Sequence, residues 1–195
     1  MRKLLQLNQH IVYGDNILNN GFDNTKILKT CETNLHINKK DPSPGEQTKF
    51  YIINDEFLNF QKIIFEKIKS FLKVTDDKNI FLDQWVYKSS SKNTSTRYHR
   101  HDIGEGNLVM NFFIPSHTLT YYISMPNNDE GLLWFKEDDE EISYQPTVGD
   151  ILIFPANLKH KPDLNKNSSV DRVVYGANFC LIDEDKIDRK TKTLI

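Results

Sequence analysis

Three histidines and one arginine are the residues of this chain whose types and spacing could do chemistry. The stretch Tyr98-His99-Arg100-His101-Asp102 places two imidazoles two residues apart. On an extended segment, side chains at that spacing leave the same face. A third imidazole, His160, follows the apolar run Ile151-Leu152-Ile153-Phe154, which Pro155 closes because it lacks a ladder donor. Two imidazoles from one segment and a third from a distant strand put three ligands on one side of a metal, leaving other positions for substrate. After a polar loop at 161–170, Arg172 stands at the entrance of a returning strand that begins with the β-branched run Val173-Val174-Tyr175.

The elements that must hold these groups are mostly strands. Gly149-Asp150 reads as a tight turn into the strand before His160. Toward the N-terminus, Ile11-Val12-Tyr13 and Lys26-Ile27-Leu28 read as short strands, with turns at Gly14-Asp15 and Asn19-Asn20-Gly21. Asp41-Pro42-Ser43-Pro44-Gly45 is a loop, since two prolines and a glycine break ladder and helix alike. Asn54 is a helix N-cap, and apolar residues at three- and four-residue steps through Lys73 predict a helix laid on the outside of a sheet. Beyond it come Ile80-Phe81-Leu82 and Trp85-Val86-Tyr87, a polar loop at 88–96, and a turn at Gly104-Glu105-Gly106. Further strands are expected at 108–114, 118–124, 132–135 and 142–144, with a turn at 127–131 and a solvated acidic hairpin tip at 137–141. Short strands so spaced, with no helix between them, indicate a β-sandwich or small barrel. The fold class is mainly β with a flanking helix (α+β). The expected organisation is one domain of 195 residues: a supporting N-terminal part at 1–79, a core at 80–182 and a charged tail at 183–195.

Composition narrows the partners. The formal net charge of −2 gives no electrostatic reason to expect nucleic acid or an anionic membrane. The two cysteines, Cys31 and Cys180, imply neither a disulfide framework nor a zinc knuckle. No run reaches membrane-spanning length, and the basic N-terminus lacks the apolar core of a signal peptide, so a cytoplasmic protein of a bacterial or phage-infected cell is expected. Preference for Asn, Lys and Ile over Ala and Arg suits the AT-rich genome of a virus or a marine microbe.

Residues 80–180 resemble the iron(II)- and 2-oxoglutarate-dependent oxygenases, in particular the small oxygenases of bacteria and tailed phages. The resemblance rests on Trp85, His99-Arg100-His101, Asn111-Phe112-Phe113-Ile114-Pro115, then Pro146, Gly149, Phe154-Pro155, Leu158, His160, Arg172 and Asn178-Phe179. It implies a double-stranded β-helix, the cupin-like jelly roll, with iron(II) held in its mouth by His99, His101 and His160. It also implies 2-oxoglutarate chelating the metal, its far carboxylate gripped by Arg172 returning beside His160 on a neighbouring strand. Either Tyr121 or Tyr122 can fill the barrel and hydrogen-bond that carboxylate, Tyr122 being the choice, and Asn178 can point into the mouth. The implied reaction uses molecular oxygen to hydroxylate a peptide residue, such as proline, or a small metabolite, with 2-oxoglutarate decarboxylated to succinate.

The first motif departs from the family. Its commonest triad has a carboxylate two residues after the first histidine, whereas here His101 takes that place and Asp102 comes next. On a regular strand Asp102 faces away from His99; a bulge would turn it in instead. Three histidines would leave the site one negative charge short and change its metal preference. A rival reading keeps the fold and ligands but not the role of Arg172: a non-oxygenase cupin-like module binding metal or sugar. Selectivity for substrate is expected in the loops at 41–45 and 88–96.

Overall fold

The computed structural model describes residues 1–37, 46–48, 54–75, 79–89, 97–102, 114–126, 130–163 and 170–182. In chain order the strands are β1 (Arg2–Gln6), β2 (Ile11–Asn16), β3 (Leu35–Ile37), β4 (Glu46–Thr48), β5 (Ile80–Ser89), β6 (His117–Ser124), β7 (Leu133–Glu137), β8 (Glu140–Tyr144), β9 (Asp150–Pro155), β10 (Lys159–Pro162) and β11 (Arg172–Leu181). Two helices, α1 (Asn24–Glu32) and α2 (Asp55–Leu72), lie between β2 and β5. An eight-stranded sheet has the order β1-β2-β9-β6-β11-β5-β4-β3, and a three-stranded sheet has the order β10-β7-β8. Every described pairing is antiparallel.

Alternation along the strands of the large sheet builds two cores on its two faces. One face packs on the helices: Val86, Leu119, Tyr121, Ile123, Ile151, Ile153, Val173, Tyr175 and Phe179 cluster with Ile27, Cys31, Phe57, Phe60, Ile64 and Ile68. The other faces the small sheet, where Val12, Tyr122, Leu152, Phe154 and Val174 meet Leu133, Phe135 and Leu158. Helix α2 forms where the periodicity puts it. Asn54 caps it, accepting from the Phe57 N–H, and Lys73 ends it in the left-handed conformation.

Several expectations are corrected. Lys26-Ile27-Leu28 belongs to α1, not to a strand: Asp23 accepts from the Thr25 and Lys26 N–H groups, and Ile27 and Cys31, one helical turn apart, are both buried. Gly14-Asp15 is no turn, because it continues β2 opposite Leu152 and Ile151. The two segments 80–82 and 85–87 are one strand, β5, held straight by pairing with β11 along its whole length. The region at 161–170 starts as strand, since β10 runs through Pro162. The acidic tip is exposed at Asp138, Asp139 and Glu141 as expected, while Glu137 is half-buried: it accepts from the Gln9 N–H and His10 Nδ1 and so ties the β1–β2 turn to the β7–β8 hairpin. The expected turn at 149–150 is present. Gly149 has φ +90°, and a Cβ there would lie 2.5 Å from Leu18 Cβ.

The loop at 41–45, the turn at 104–106, the tail at 183–195 and most of the segments 88–96, 108–114, 127–131 and 164–170 lie outside the described residues. Among the described residues no helix is long and apolar enough to cross a membrane.

Phe60 touches four aromatic rings, those of Phe22, Phe57, Tyr121 and Tyr175. Phe60→Ala is expected to lower unfolding stability by about 3–5 kcal/mol, read from urea denaturation, because so rigid a setting cannot collapse around the hole.

Candidate metal and oxo-acid site

The site is built where β9 and β10 meet the segment carrying the histidine pair. His99 and His160 exchange two backbone hydrogen bonds, each 3.0 Å, and the His101 N–H donates to the Ala156 carbonyl at 2.8 Å. Those bonds make His99 an isolated bridge partner of His160 and hold His101, in the bend that follows, to the turn between β9 and β10. Bridge and bend together bring the rings of His99 and His101 against that of His160, with centroids 4.3 and 5.0 Å from it. One nitrogen of each ring lies within 4.8 Å of the others, forming the group His99, His101 and His160. Asp102 is outside that group, its carboxylate 3.2 Å from Arg100 Nε.

One pair of the three has the spacing of two ligands on a metal. His101 Nε2 and His160 Nε2 are 3.2 Å apart, and two nitrogens bound at about 2.1 Å to one ion at roughly 90–110° lie about 3.0–3.4 Å apart. Outer contacts orient two of the rings inward. His160 Nδ1 donates to the Leu158 carbonyl at 3.0 Å, which leaves its Nε2 a lone pair. His99 Nδ1 donates likewise to the Arg97 carbonyl at 3.3 Å. His160 packs edge-on against Phe154, and His101 stacks on Trp85 with ring centroids 5.6 Å apart. Trp85 needs the glycine opposite it on β11, because a Cβ at Gly176 would sit 2.6 Å from the indole.

Electrostatics keep the imidazoles neutral. Burial, and then the neighbouring His99, lower His101 to about 3. Burial also takes His160 well below its ordinary value, with His99, His101 and Arg172 adding to the shift. His99, exposed over its outer surface, is lowered first by desolvation and then by Arg172, its bond to the Arg97 carbonyl opposing them. Neutral imidazole is the form that binds a metal.

Arg172 opens β11 and is 4% exposed, its guanidinium carbon 5.6 Å from the Tyr122 ring centroid. Its acidic neighbour Asp171 pairs with Lys88 at 2.9 Å, and the buried Asp150 is taken up by Asn16, Tyr144 and the Thr147 N–H. Among the described residues Arg172 therefore makes no ion pair. Arg172 Nε, Tyr122 Oη, Ser89 Oγ and Thr120 Oγ1 are all buried without a hydrogen-bond partner among the described residues. Ser89 is directly opposite Arg172 across β5 and β11, and Tyr122 is opposite Val174 across β6 and β11. Burial raises the Tyr122 hydroxyl while nearby Arg172 and Thr120 pull it down, yet neither closes a well-formed bond to it. A cation and three hydroxyls enclosed in this way lack an acceptor, and a carboxylate is the chemical group that fits them.

The expectation that Arg172 would return on a strand beside that of His160 is corrected: β11 is in the large sheet and β10 in the small one, so the two residues meet across the gap between sheets. Asn178, expected to face the mouth, lies beside the histidine group, 3.3 Å from His101 Nδ1, and also bonds to Thr118. Ser89 and Thr120 were not singled out in the sequence. Ser89 falls at the start of a stretch that reads as loop, although its two-residue step from Trp85 and Tyr87 shares their face.

No protein-family model matches the sequence, and no curated protein matches it. Solved structures do match. A viral collagen prolyl hydroxylase from Paramecium bursaria Chlorella virus-1, in complex with 2-oxoglutarate, superposes with TM-score 0.60 at 12% identity over 86% of this chain and 94% of its own. A Pseudomonas putida prolyl-4-hydroxylase gives 0.59 at 12% identity over 90% and 95%. A Trichoplax adhaerens prolyl hydroxylase, in complex with a hypoxia-inducible factor peptide fragment, gives 0.61 at 12% identity over 90% and 84%. This chain shares their fold. It is the double-stranded β-helix, mainly β with helices packed on one face of the large sheet.

Histidine in an unfolded chain titrates near about 6.5, while folded His101 is lowered to about 3. Between those values the unfolded chain binds the extra proton, so stability falls as pH drops through the window. Metal-free His101→Gln should lose less stability than wild type between about pH 7 and about pH 4.5, measured by urea unfolding; an identical acid-side loss would contradict the assigned shift.

Proposed function

We propose that the protein is an iron(II)- and 2-oxoglutarate-dependent dioxygenase that hydroxylates a peptide residue, such as proline, or a small metabolite. The observation that carries this reading is a group of three neutral imidazoles beside a buried arginine that has no carboxylate partner among the described residues. In it, His99, His101 and His160 hold iron(II), and Arg172 grips the far carboxylate of 2-oxoglutarate. Tyr122 and Ser89 donate to the same carboxylate, satisfying their buried hydroxyls. Iron(II), 2-oxoglutarate and molecular oxygen supply the oxidising chemistry, with succinate and carbon dioxide as co-products. The chain's part is to orient them and, through Trp85, Phe135 and Phe154 around the histidines, to keep water out.

A peptide substrate is favoured by the fold-sharing prolyl hydroxylases, one of which carries a bound peptide. A cupin-like metal or sugar module would use the same three histidines but gives Arg172 nothing to hold, so it accounts for less of the site.

The reading is tested by calorimetric titration of 2-oxoglutarate into the manganese(II)-loaded protein under nitrogen. Arg172→Ala should weaken binding by about 2–5 kcal/mol, the cost of removing one partner of a buried charged pair. Ser89→Ala should weaken it by about 0.5–1.5 kcal/mol. Equal affinity in wild type and Arg172→Ala would overturn the assignment.

A further inference from the structure

The face of β5 and β11 that carries the site holds one more charged side chain, Asp83. Residues of β5 alternate between two faces. Ile80, Leu82 and Val86 pack toward the helices, while Trp85 stacks on His101 and Ser89 is opposite Arg172. Asp83 shares the face of Trp85 and Ser89.

Cross-strand partners order this face from end to end. Ser89 is opposite Arg172, Trp85 is opposite Gly176 and Asp83 is opposite Asn178. The oxo-acid cradle is therefore at one end. The histidine group comes next, since His101 is against both Trp85 and Asn178. Asp83 stands at the far end, about 20 Å along the strand from Ser89 and about 7 Å from Trp85, at roughly 3.3 Å per residue.

Its carboxylate lacks a balancing charge. Among the described residues no lysine, arginine or histidine pairs with it, and Asn178, directly opposite, is taken up by Thr118 and His101. Asp83 is half-buried, and desolvation raises its carboxyl above the ordinary value, opposed by the Gln84 N–H alone. A partly desolvated carboxylate without a cation costs stability, a cost that persists where a ligand supplies the missing charge.

We propose that Asp83 is a specificity-determining residue that pairs with an ammonium or guanidinium group of the substrate, so that the molecule oxidised is a basic one. This rests on the proposed reading of the metal and oxo-acid site. In that reading the oxo-acid fills the Arg172 end, which leaves the Asp83 end for the molecule to be oxidised. The dianionic oxo-acid only offsets the divalent ion, so Arg172 keeps the loaded site positive. A carboxylate on the substrate side removes the resulting barrier for a cation and raises one against an anion.

The test uses the full chain loaded with manganese(II) and 2-oxoglutarate under nitrogen, and reads binding from paramagnetic broadening of the probe's proton signals. No turnover is needed. The probes are α-N-acetyl-lysine amide and a capped glycyl-lysyl-prolyl-glycine peptide, each set against its norleucine and glutamate counterparts. Lysine probes should bind about fivefold to tenfold more tightly than norleucine probes, and glutamate probes more weakly still. Tighter binding of the peptide than of the single amino acid marks a peptide substrate and equal binding a small amine, and either supports the role of Asp83. Asp83→Asn should remove the lysine preference, and Asp83→Glu should keep it. No broadening of any lysine probe, equal affinity for lysine and norleucine probes, or a preference that survives in Asp83→Asn would overturn the inference. So would a lost preference matched by an equal change in 2-oxoglutarate affinity, which would make Asp83 a charge-balancing group of the metal centre. Failure of wild type to bind 2-oxoglutarate would instead bring down the site reading and this inference with it.

Discussion

Strand β11 is paired along both edges, to β5 over its whole length and to β6 over most of it, and what happens at the mouth depends on that double ladder. A strand so held has no freedom to slip, since a shift of one residue would exchange its two faces. The face toward the helices carries Val173, Tyr175, Ala177 and Phe179, all buried in one core. The opposite face carries Arg172, Gly176 and Asn178: a charge, a gap that admits Trp85, and an amide behind His101. The apolar face fixes the register, and the register delivers the polar face.

The electrostatic design follows from the ligand set. Three imidazoles kept neutral by burial contribute no negative charge, while Arg172 is close enough to lower His99 and His160 further. The site as a whole is therefore positive once a divalent ion is present. In the proposed reading its occupant is an anion that reaches metal and guanidinium together, as an oxo-dicarboxylate does. The carboxylate closest in sequence, Asp102, is turned to Arg100 and does not offset this charge.

The fold class and the grouping of the three histidines were legible in the sequence, while several of the elements around them were not. Helix α2 declared itself through its cap and its periodicity, and the strand before His160 through its apolar run and flanking turn. Helix α1 was hidden, because Lys26-Ile27-Leu28 is too short a run to separate helix from strand and only Ile27 and Cys31 of the helix are fully buried. Strand β2 was cut short by Gly14, which reads as a turn residue but is called for by packing: a Cβ there would meet Leu4 Cδ1 at 2.1 Å. The histidine spacing pointed to one face without saying which strand would receive it. The exchange of bonds between His99 and His160 is a tertiary pairing across sixty residues of chain, roughly the kind of contact that local pattern cannot encode. Ser89 and the Asn178–Thr118 pair were invisible for the same reason, being defined by cross-strand neighbours.

The central claim is that metal and oxo-acid occupy one site defined by the three histidines and Arg172. It is tested most directly by adding iron(II) and then 2-oxoglutarate to the protein without oxygen and recording the visible spectrum. A charge-transfer band that needs both additions, and that Arg172→Ala and His101→Ala each abolish or sharply weaken, is the predicted result. Tight iron(II) binding with no band at any 2-oxoglutarate concentration would contradict the account and leave a metal site without an oxo-acid.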